Sequence, residues 1–204
     1  MKTQAQLKTT FQFLLFLPLF FVMTSSLVAK EYTIASGESA EVKWSATKVG
    51  GGHSGSVAFQ SAVVTMNQDV VTSGTFIVDM NKITCSDLTG AMAEKLLTHL
   101  KSKDFFHVEK FPTATLTIFS AKKGKNAGEY DVFGKLTIKG KTNQSHFTMI
   151  LKEEGNKLTG TTTLTFDRTK YDIRYGSGKF FSNLGDKLIH DEVKLEIALS
   201  LTAK

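Results

Sequence analysis

The chain has 204 residues, with 25 Lys and Arg against 19 Asp and Glu and a formal net charge of +6. The basic residues are interleaved with acids and form no dense stripe with stacking aromatics, which argues against nucleic-acid binding. A single cysteine, Cys85, excludes an internal disulfide, so packing has to hold the fold together. Cys85 is expected to be a small buried or half-buried residue rather than a nucleophile.

The first 29 residues are typical of a cleaved secretory signal peptide. Two lysines precede an almost wholly apolar run over residues 11–23, and small polar residues follow. This run is too short for a membrane-spanning helix, which needs about 20 apolar residues, so a retained anchor is the weaker alternative. Cleavage is expected after Ala29 or Ser26. Residues 30–204 then form a single domain, long enough to bury its own core.

Apolar and polar residues alternate in most segments from residue 31 onwards. A period of two predicts β-strands with one buried face. The apolar positions are Val42, Trp44 and Ala46; Phe76, Val78 and Met80; Ala114, Leu116 and Ile118; Tyr130, Val132, Gly134, Leu136 and Ile138; Phe147, Met149 and Leu151; Leu158, Leu164 and Phe166; and Val193, Leu195, Ile197, Leu199 and Leu201. Glycine-containing turn signals at 123–126, 139–141 and 154–156 predict antiparallel hairpins between these strands.

One segment breaks the alternation and has helical spacing instead. The recurring apolar positions are Leu88, Met92, Leu96 and then His99 or Leu100. With Ser86 or Asp87 as the expected N-cap, this spacing predicts a single α-helix near residues 87–100. Many short strands with one helical insertion favour a closed barrel, because closure removes exposed strand edges. The predicted fold is all-β: an antiparallel barrel of about eight strands with one inserted α-helix.

The interior of such a barrel has two alternatives. About eight strands leave just enough room for side chains to fill the interior or for one ligand. Small inward residues are compatible with an open lumen, but they fit the taper of a filled barrel equally well; they are Ala46, Ala114, Gly134 and Gly160. Phenylalanines cluster near the predicted loops and serve either as a lumen wall or as closure of one end; they are Phe105, Phe106, Phe111, Phe180 and Phe181. Composition leaves both alternatives open.

Three runs of residues carry a resemblance to a known family. They are His99-Leu100-x-Ser102-x-Asp104-Phe105-Phe106, Phe111-Pro112-Thr113-Ala114-Thr115 and Gly134-x-Leu136-Thr137-Ile138-x-Gly140. Upstream, the matching residues are Trp44, His53-Ser54 and Gly74-Thr75-Phe76. Together they resemble the YceI-like polyisoprenoid-binding family over residues 32–202. The resemblance implies an extended lipocalin-like barrel, periplasmic or secreted in bacteria, whose interior holds a long isoprenoid or a similar quinone-like or fatty-amide amphiphile.

The chain departs from the family pattern at one place. Many members carry an Arg-Asp pair two residues before the His-Leu step, where this chain has Leu96 and Leu97. No role of that charged pair in head-group contact therefore carries over to this chain.

The resemblance and the inward pattern together predict a set of ligand contacts. The apolar contacts are Phe76, Phe105, Phe106, Phe111, Leu116, Phe133 and Leu136, and weaker candidates for the polar end are His53, His99 and Arg174. Phe133 conflicts with the alternation, which places it opposite Leu136. Both histidines also fit a structural role, because backbone groups at a strand start and a helix end need partners. Arg174 belongs to a loop over residues 167–181 that either meets a head group or is a solvated loop.

Catalytic motifs are not supported by the spacing of the reactive residues. The histidines form no His-Glu-x-x-His pattern, and a lone cysteine cannot form Cys-x-x-Cys. The run 176–179 lacks the first glycine of a phosphate loop, and Ser177 is not in a nucleophile elbow. We therefore expect no enzyme activity, metal or cofactor.

The predicted function is that of an exported protein that carries or buffers an amphiphilic lipid. Transient membrane contact and a homodimer are left open. The alternative is a structural or stress-related secreted module with a filled core and no ligand.

Overall fold

The computed structural model describes residues 29–35 and 40–204, so the predicted signal segment up to residue 28 lies outside the described residues. Within these ranges the chain forms nine strands and one α-helix, α1 (Gly90–Lys101). The strands are β1 (Lys30–Thr33), β2 (Glu41–Lys48), β3 (Gly51–Asn67), β4 (Val70–Asp79), β5 (Thr113–Lys123), β6 (Glu129–Ile138), β7 (Lys141–Glu154), β8 (Lys157–Asp167) and β9 (Ile189–Ala203). Short 3-10 turns lie at Met80–Lys82, Arg168–Tyr171 and Gly185–Lys187.

The strands close into an antiparallel barrel with eight positions around its circumference. The order is β1-β3-β2-β9-β8-β7-β6-β5-β4, and pairing of β3 with β4 closes the ring. Because β1 and β2 both lie between β3 and β9, they share one position. The register of β3 with β4 shifts between Phe59 and Ser61, an irregularity of the kind that bends a strand from one neighbour towards the next. The predicted barrel with one inserted helix is confirmed.

Cross-strand pairing brings the predicted apolar positions together inside the barrel. Leu116 of β5 is the register partner of Phe76 on β4 and of Leu136 on β6, so these three side chains form one inward row. On the other side of the ring, Trp44 of β2 pairs with Leu195 of β9. Partners directly opposite each other share a face of the sheet, and this is why a period of two in the sequence becomes a continuous apolar interior.

Two of the predicted turns are two-residue hairpin loops. Lys139 and Gly140 both have positive φ, 49° and 70°, which is the conformation that matches the twist of paired strands. The next hairpin uses Gly155 and Asn156. Gly140 is required for a second reason, because a Cβ there would lie 2.6 Å from Cε1 of Phe111. The Phe111 ring therefore packs directly on this turn.

One end of the barrel, which we call the sealed end, is filled by side chains. The buried residues that fill it are Tyr32, Val64, Met66, Val71, Tyr130, Val132, Leu151, Leu158 and Leu201. Both tyrosines satisfy their hydroxyls at the rim: Tyr32 donates to the Glu153 carboxylate, and Tyr130 donates to the carbonyl of Asp69 at 2.7 Å. At the opposite end, which carries α1 and which we call the helix end, the interior is not filled. Side chains thus fill the sealed end, whereas the helix end keeps an open interior.

The helix begins later than predicted and has a different cap. Its N-cap is Thr89, whose side chain makes no capping hydrogen bond, so the prediction of Ser86 or Asp87 as the cap was wrong. Both side chains contact β3 instead: the hydroxyls of Ser86 and Ser54 lie 3.0 Å apart, and Asp87 accepts a bond from the Ser54 amide at 2.8 Å. Met92, predicted on the apolar face, is 63% exposed. Among the described residues, no helix has the length and apolar character needed to cross a membrane.

Candidate functional site

The helix end of the barrel encloses an apolar cavity of about 140 Å³, counted as the space open to the centres of water-sized molecules. Apart from the indole of Trp44, the polar side chains in its wall are Thr115, Thr162 and Arg168. The indole N–H is satisfied, because it donates to the carbonyl of Thr84 at 3.2 Å. Water needs several polar partners inside a protein, so a wall of this kind favours hydrocarbon over water.

Five of the predicted contact residues lie in the cavity wall: Phe76, Phe105, Phe106, Leu116 and Leu136. The three strand residues are the inward row across β4, β5 and β6. The two rings come from the connection between α1 and β5. The structure therefore brings strand and loop residues to one apolar surface, and their contact with a ligand stays a prediction.

Backbone hydrogen bonds shape the connection after α1 so that its rings reach the cavity. The carbonyl of Ser102 accepts from the amides of Phe105 at 3.2 Å and His107 at 2.8 Å. The amide of Phe106 donates to the carbonyl of Leu100 at 3.0 Å. Apolar rings in a loop are costly unless they are covered, and here the turn places Phe105 against the interior with 9% exposure.

Phe111 and Phe133 lie outside the cavity wall, so their predicted positions are corrected. Phe111 packs on the Gly140 turn. Phe133 is on the outer face of β6, where its ring stacks on His146 with centroids 4.4 Å apart and planes 7° apart. The cause is the alternation itself: with Leu136 facing inward, a residue three positions away on the same strand faces outward.

The small inward residues differ in what they do. Ala46 and Ala114 lie in the cavity wall. Gly134 and Gly160 allow close packing instead: a Cβ at Gly134 would lie 2.8 Å from the Thr117 carbonyl oxygen, and one at Gly160 would lie 2.8 Å from Cδ2 of Leu151. Of these four positions, the two alanines border the cavity, and the two glycines allow close packing elsewhere in the barrel.

His53 lies at the rim and pairs with Asp87 instead of entering the cavity wall. Its Nδ1 is 2.8 Å from Oδ2 of Asp87, and Oδ1 accepts from the Ser54 amide. The half-buried Cys85 thiol also lies 3.4 Å from Oδ1. Burial alone would raise the pKa of Asp87, but the bonds from Ser54, His53 and Cys85 lower that pKa to about 2. Asp87 thus ties the segment after β4 to the start of β3.

His99 belongs to an aromatic layer at the helix end, packed against Phe105 of the cavity wall. Its ring lies edge-on to Phe105 at 4.8 Å and to Tyr175 at 4.6 Å, measured between centroids. Its Nε2 is 3.2 Å from Oδ2 of Asp104. The two rings that His99 contacts are themselves 5.4 Å apart. His99 therefore packs over a wall residue without lining the cavity, as a structural histidine would.

Arg174, the predicted polar contact, is exposed, and sequence reasoning missed the arginine that lines the cavity. Nε of Arg174 is 2.8 Å from Oδ1 of Asp172, outside the cavity wall. Arg168, by contrast, is 3% exposed and lies in the wall. Burial lowers its pKa, and the nearby carboxylates of Asp191 and Asp167 oppose that shift.

The guanidinium of Arg168 is fully engaged by its own chain. The acceptors are the carbonyls of His190 at 3.1 Å, Ile173 at 3.0 Å, Tyr175 at 2.8 Å and Ile189 at 3.0 Å, and the Asp191 carboxylate at 3.2 Å. An arginine has five N–H donors, and here they make five bonds. The one charged group of the cavity wall therefore joins the loop that contains Ile173 and Tyr175 to the start of β9, and its donors are not left for a polar ligand.

The arrangement suits a ligand whose buried part is hydrocarbon. Its wall offers apolar contacts, and any polar head group has to stay at the mouth. No three His, Cys, Asp or Glu side chains come together as metal ligands within residues 29–35 and 40–204.

A closed antiparallel barrel with an apolar cavity at one end is a barrel of the lipocalin-like kind. The chain belongs to the YceI-like domain family, whose model matches residues 32–201. The resemblance inferred from the central motifs is thereby confirmed.

The chain is similar in sequence or in fold to several known proteins. The UPF0312 protein YE1254 of Yersinia enterocolitica is 45% identical over 58 residues, which is 28% of this chain and 29% of that relative. Among solved structures, Burkholderia cenocepacia BcnA has 21% identity and a TM-score of 0.64, covering 79% of this chain and 95% of its own. A polyisoprenoid-binding domain from Saccharophagus degradans, implicated in plant cell wall breakdown, has 12% identity and a TM-score of 0.62, covering 85% and 98%. At these identities the two structures show the fold alone.

Proposed function

We propose that this protein is an exported lipid-binding protein that holds a long isoprenoid, or a similar quinone-like or fatty-amide amphiphile, in the cavity at the helix end. One observation carries the proposal: the cavity wall is hydrocarbon apart from Trp44, Thr115, Thr162 and Arg168, and the charged group, Arg168, donates its N–H groups to carbonyls and a carboxylate of its own chain. The related Saccharophagus degradans domain is described as polyisoprenoid-binding, which supports the same ligand class. The cavity argues against the alternative of a fully filled core, and we propose binding in place of catalysis.

Energetics favour a role as carrier or buffer. Each buried CH₂ contributes about 0.8 kcal/mol relative to water, so about 25 apolar carbons already reach the ceiling of roughly 20 kcal/mol for non-covalent binding. Longer chains cannot add affinity in that proportion. The competing environment is a membrane, where the lipid is already out of water, so transfer into the barrel is close to neutral. A nearly neutral transfer permits both uptake and release.

Uptake of a long chain requires the mouth to open. The cavity volume of about 140 Å³ is smaller than the roughly 300–1,000 Å³ of sites for drug-sized ligands. Strand side chains are held by the barrel, whereas Phe106, Leu96 and Leu97 are only half-buried in the helix and the connection after it. We therefore expect α1 and this connection to move when the cavity is filled.

Trp44 provides the assay for lipid binding, because it is the chain's single tryptophan and lies in the cavity wall. The purified protein is titrated with geranylgeraniol while Trp44 fluorescence is recorded. Wild type should show a saturable change, and Ala114→Phe, which fills the cavity, should weaken the apparent affinity at least about tenfold. The matched control Ala198→Phe changes an exposed position of β9 and should bind like wild type.

Two results would overturn the binding proposal. The first is equal affinity of wild type and Ala114→Phe, provided that both show the same circular dichroism spectrum. The second is no saturable change in the wild type. If Ala114→Phe does not fold, Ala46→Leu at another wall position takes its place.

Export is tested separately, by fractionating the host cells and measuring the N-terminus of the mature protein. We expect it in the periplasm or medium, beginning at Lys30 or Leu27. Recovery of the uncleaved chain from the cytoplasm would contradict the export part alone.

A further inference from the structure

Three large aromatic side chains at the helix end are exposed to solvent. They are Tyr175, Phe180 and Phe181, with exposures of 45%, 45% and 51%. All three belong to residues 174–181, which we call the mouth loop, and we call the three side chains the mouth rings. Exposed apolar rings cost free energy unless they have a partner, and a cluster of them marks an interaction surface.

The mouth loop is anchored to the cavity wall, so its rings are presented in a defined place. The guanidinium of Arg168 donates to the carbonyl of Tyr175, and the Tyr175 ring lies 5.4 Å from the ring of Phe105 in the cavity wall, measured between centroids. The amides of the two phenylalanines both donate to the carbonyl of Ser177, at 3.1 and 3.0 Å, and Ser177 is fully buried. The rings therefore stay exposed beside the mouth while the backbone beneath them is fixed.

Basic side chains lie on the same segment as the mouth rings. Residues 168–188 contain five Lys or Arg and two Asp. Of the five, Arg168 is buried, and Arg174 and Lys179 form ion pairs with carboxylates. The guanidinium carbon of Arg174 is 4.8 Å from the ring centroid of Phe180, and Lys170 and Lys187 are exposed on the same segment. At the sealed end, by contrast, both described tyrosines, Tyr32 and Tyr130, are buried. Exposed rings and a basic segment thus occur together at the cavity end.

We propose that the mouth loop docks the barrel onto an anionic lipid bilayer. Aromatic rings partition into the membrane interface, and each nearby Lys or Arg is attracted to an anionic leaflet. Docking by this loop would bring the cavity mouth to the lipid surface. The inference rests on the proposed function, because it names the membrane as the partner with which the same cavity exchanges its ligand.

Co-sedimentation with vesicles of phosphatidylcholine, with and without phosphatidylglycerol, tests the docking. Wild type should bind the vesicles that contain phosphatidylglycerol and bind less as salt rises. The double variant Phe180→Ser, Phe181→Ser should lose at least about tenfold in binding, since two half-exposed rings no longer enter the interface. The control is Phe119→Ser on β5, which removes an equally exposed ring (52%) from the barrel wall and should bind like wild type.

Docking is overturned if wild type does not bind the anionic vesicles, or if the double variant binds them like wild type. It is equally overturned if Phe119→Ser reduces vesicle binding as much as the double variant does. It is also overturned if sedimentation shows that the mouth rings hold two copies of the chain together, with the double variant monomeric.

Uptake of geranylgeraniol from cyclodextrin, followed through Trp44, separates this proposal from the proposed function. Docking by the rings without any uptake by wild type leaves the docking proposal standing and removes the lipid-binding function. Uptake without any vesicle binding leaves the lipid-binding function standing and removes the docking proposal.

Discussion

Arg168→Met should destabilise the protein more than any exposed substitution in the same loop. Methionine keeps an unbranched apolar stem but removes five donors, so carbonyls in segments 173–175 and 189–191 lose their partner. Bonds to a charged group contribute about 1.5–3 kcal/mol each, but the two segments can relax and admit water. We therefore expect a loss of about 3–5 kcal/mol, the range typical of removing one partner of a buried charge pair.

Unfolding by guanidinium chloride, followed through Trp44 fluorescence, measures this loss in the free energy of unfolding. A loss of 3–5 kcal/mol corresponds to a fall in Tm of roughly 10 °C for a domain of this size. Arg174→Met is the matched control: it removes an exposed arginine with one ion pair to Asp172 and should change stability by less than about 0.5 kcal/mol. If Arg168→Met stayed within about 1 kcal/mol of wild type, the view that this guanidinium joins the two segments would be refuted.

Two further substitutions test the segment between β4 and α1. Gly55→Ala should lower the free energy of unfolding by about 2–4 kcal/mol, because the added Cβ would lie 1.9 Å from the Thr84 carbonyl oxygen. Gly51→Ala on the same strand is the control and should be nearly neutral, because its Cβ meets open space. Thermal unfolding compares the two variants, and equal melting temperatures would show that the segment around Thr84 shifts freely. Asp87 has a lowered pKa of about 2 against its ordinary 3.8, so it stabilises the fold above pH 3.8 and this contribution fades as the pH falls towards 2. Because the Asp87 side chain is partly exposed, Asp87→Asn should lower the free energy of unfolding by only about 1 kcal/mol at neutral pH. The stabilities of the variant and the wild type should converge near pH 2, and stability curves that stay parallel over this pH range would contradict the role assigned to Asp87.

The barrel could be predicted from sequence because its physical signals are local. Alternation at positions such as Leu136 and Ile138 reports one buried face, and the Lys139-Gly140 turn reports a tight hairpin. The start of α1 was harder to predict. Ser86 and Asp87 have good capping side chains, but β3 offers them partners that the local sequence does not show.

The site was only partly predictable because tertiary position decides which polar residue is buried. Arg174 and Arg168 lie in one basic loop, and composition gives no reason to separate them. A signal was nevertheless present, since even-numbered positions of β8, such as Leu164 and Phe166, face inward, and Arg168 continues that series. The cavity itself could not be predicted, because the same small residues, Ala114 and Gly134, fit an open wall or close strand contact.

Native mass spectrometry of the protein purified gently from its host tests the central claim most directly. If the cavity holds an amphiphile, part of the wild-type population should carry a non-covalent adduct of lipid mass, and Ala114→Phe should carry less of it. A single ligand-free mass that also gains no adduct when geranylgeraniol is added would contradict the claim.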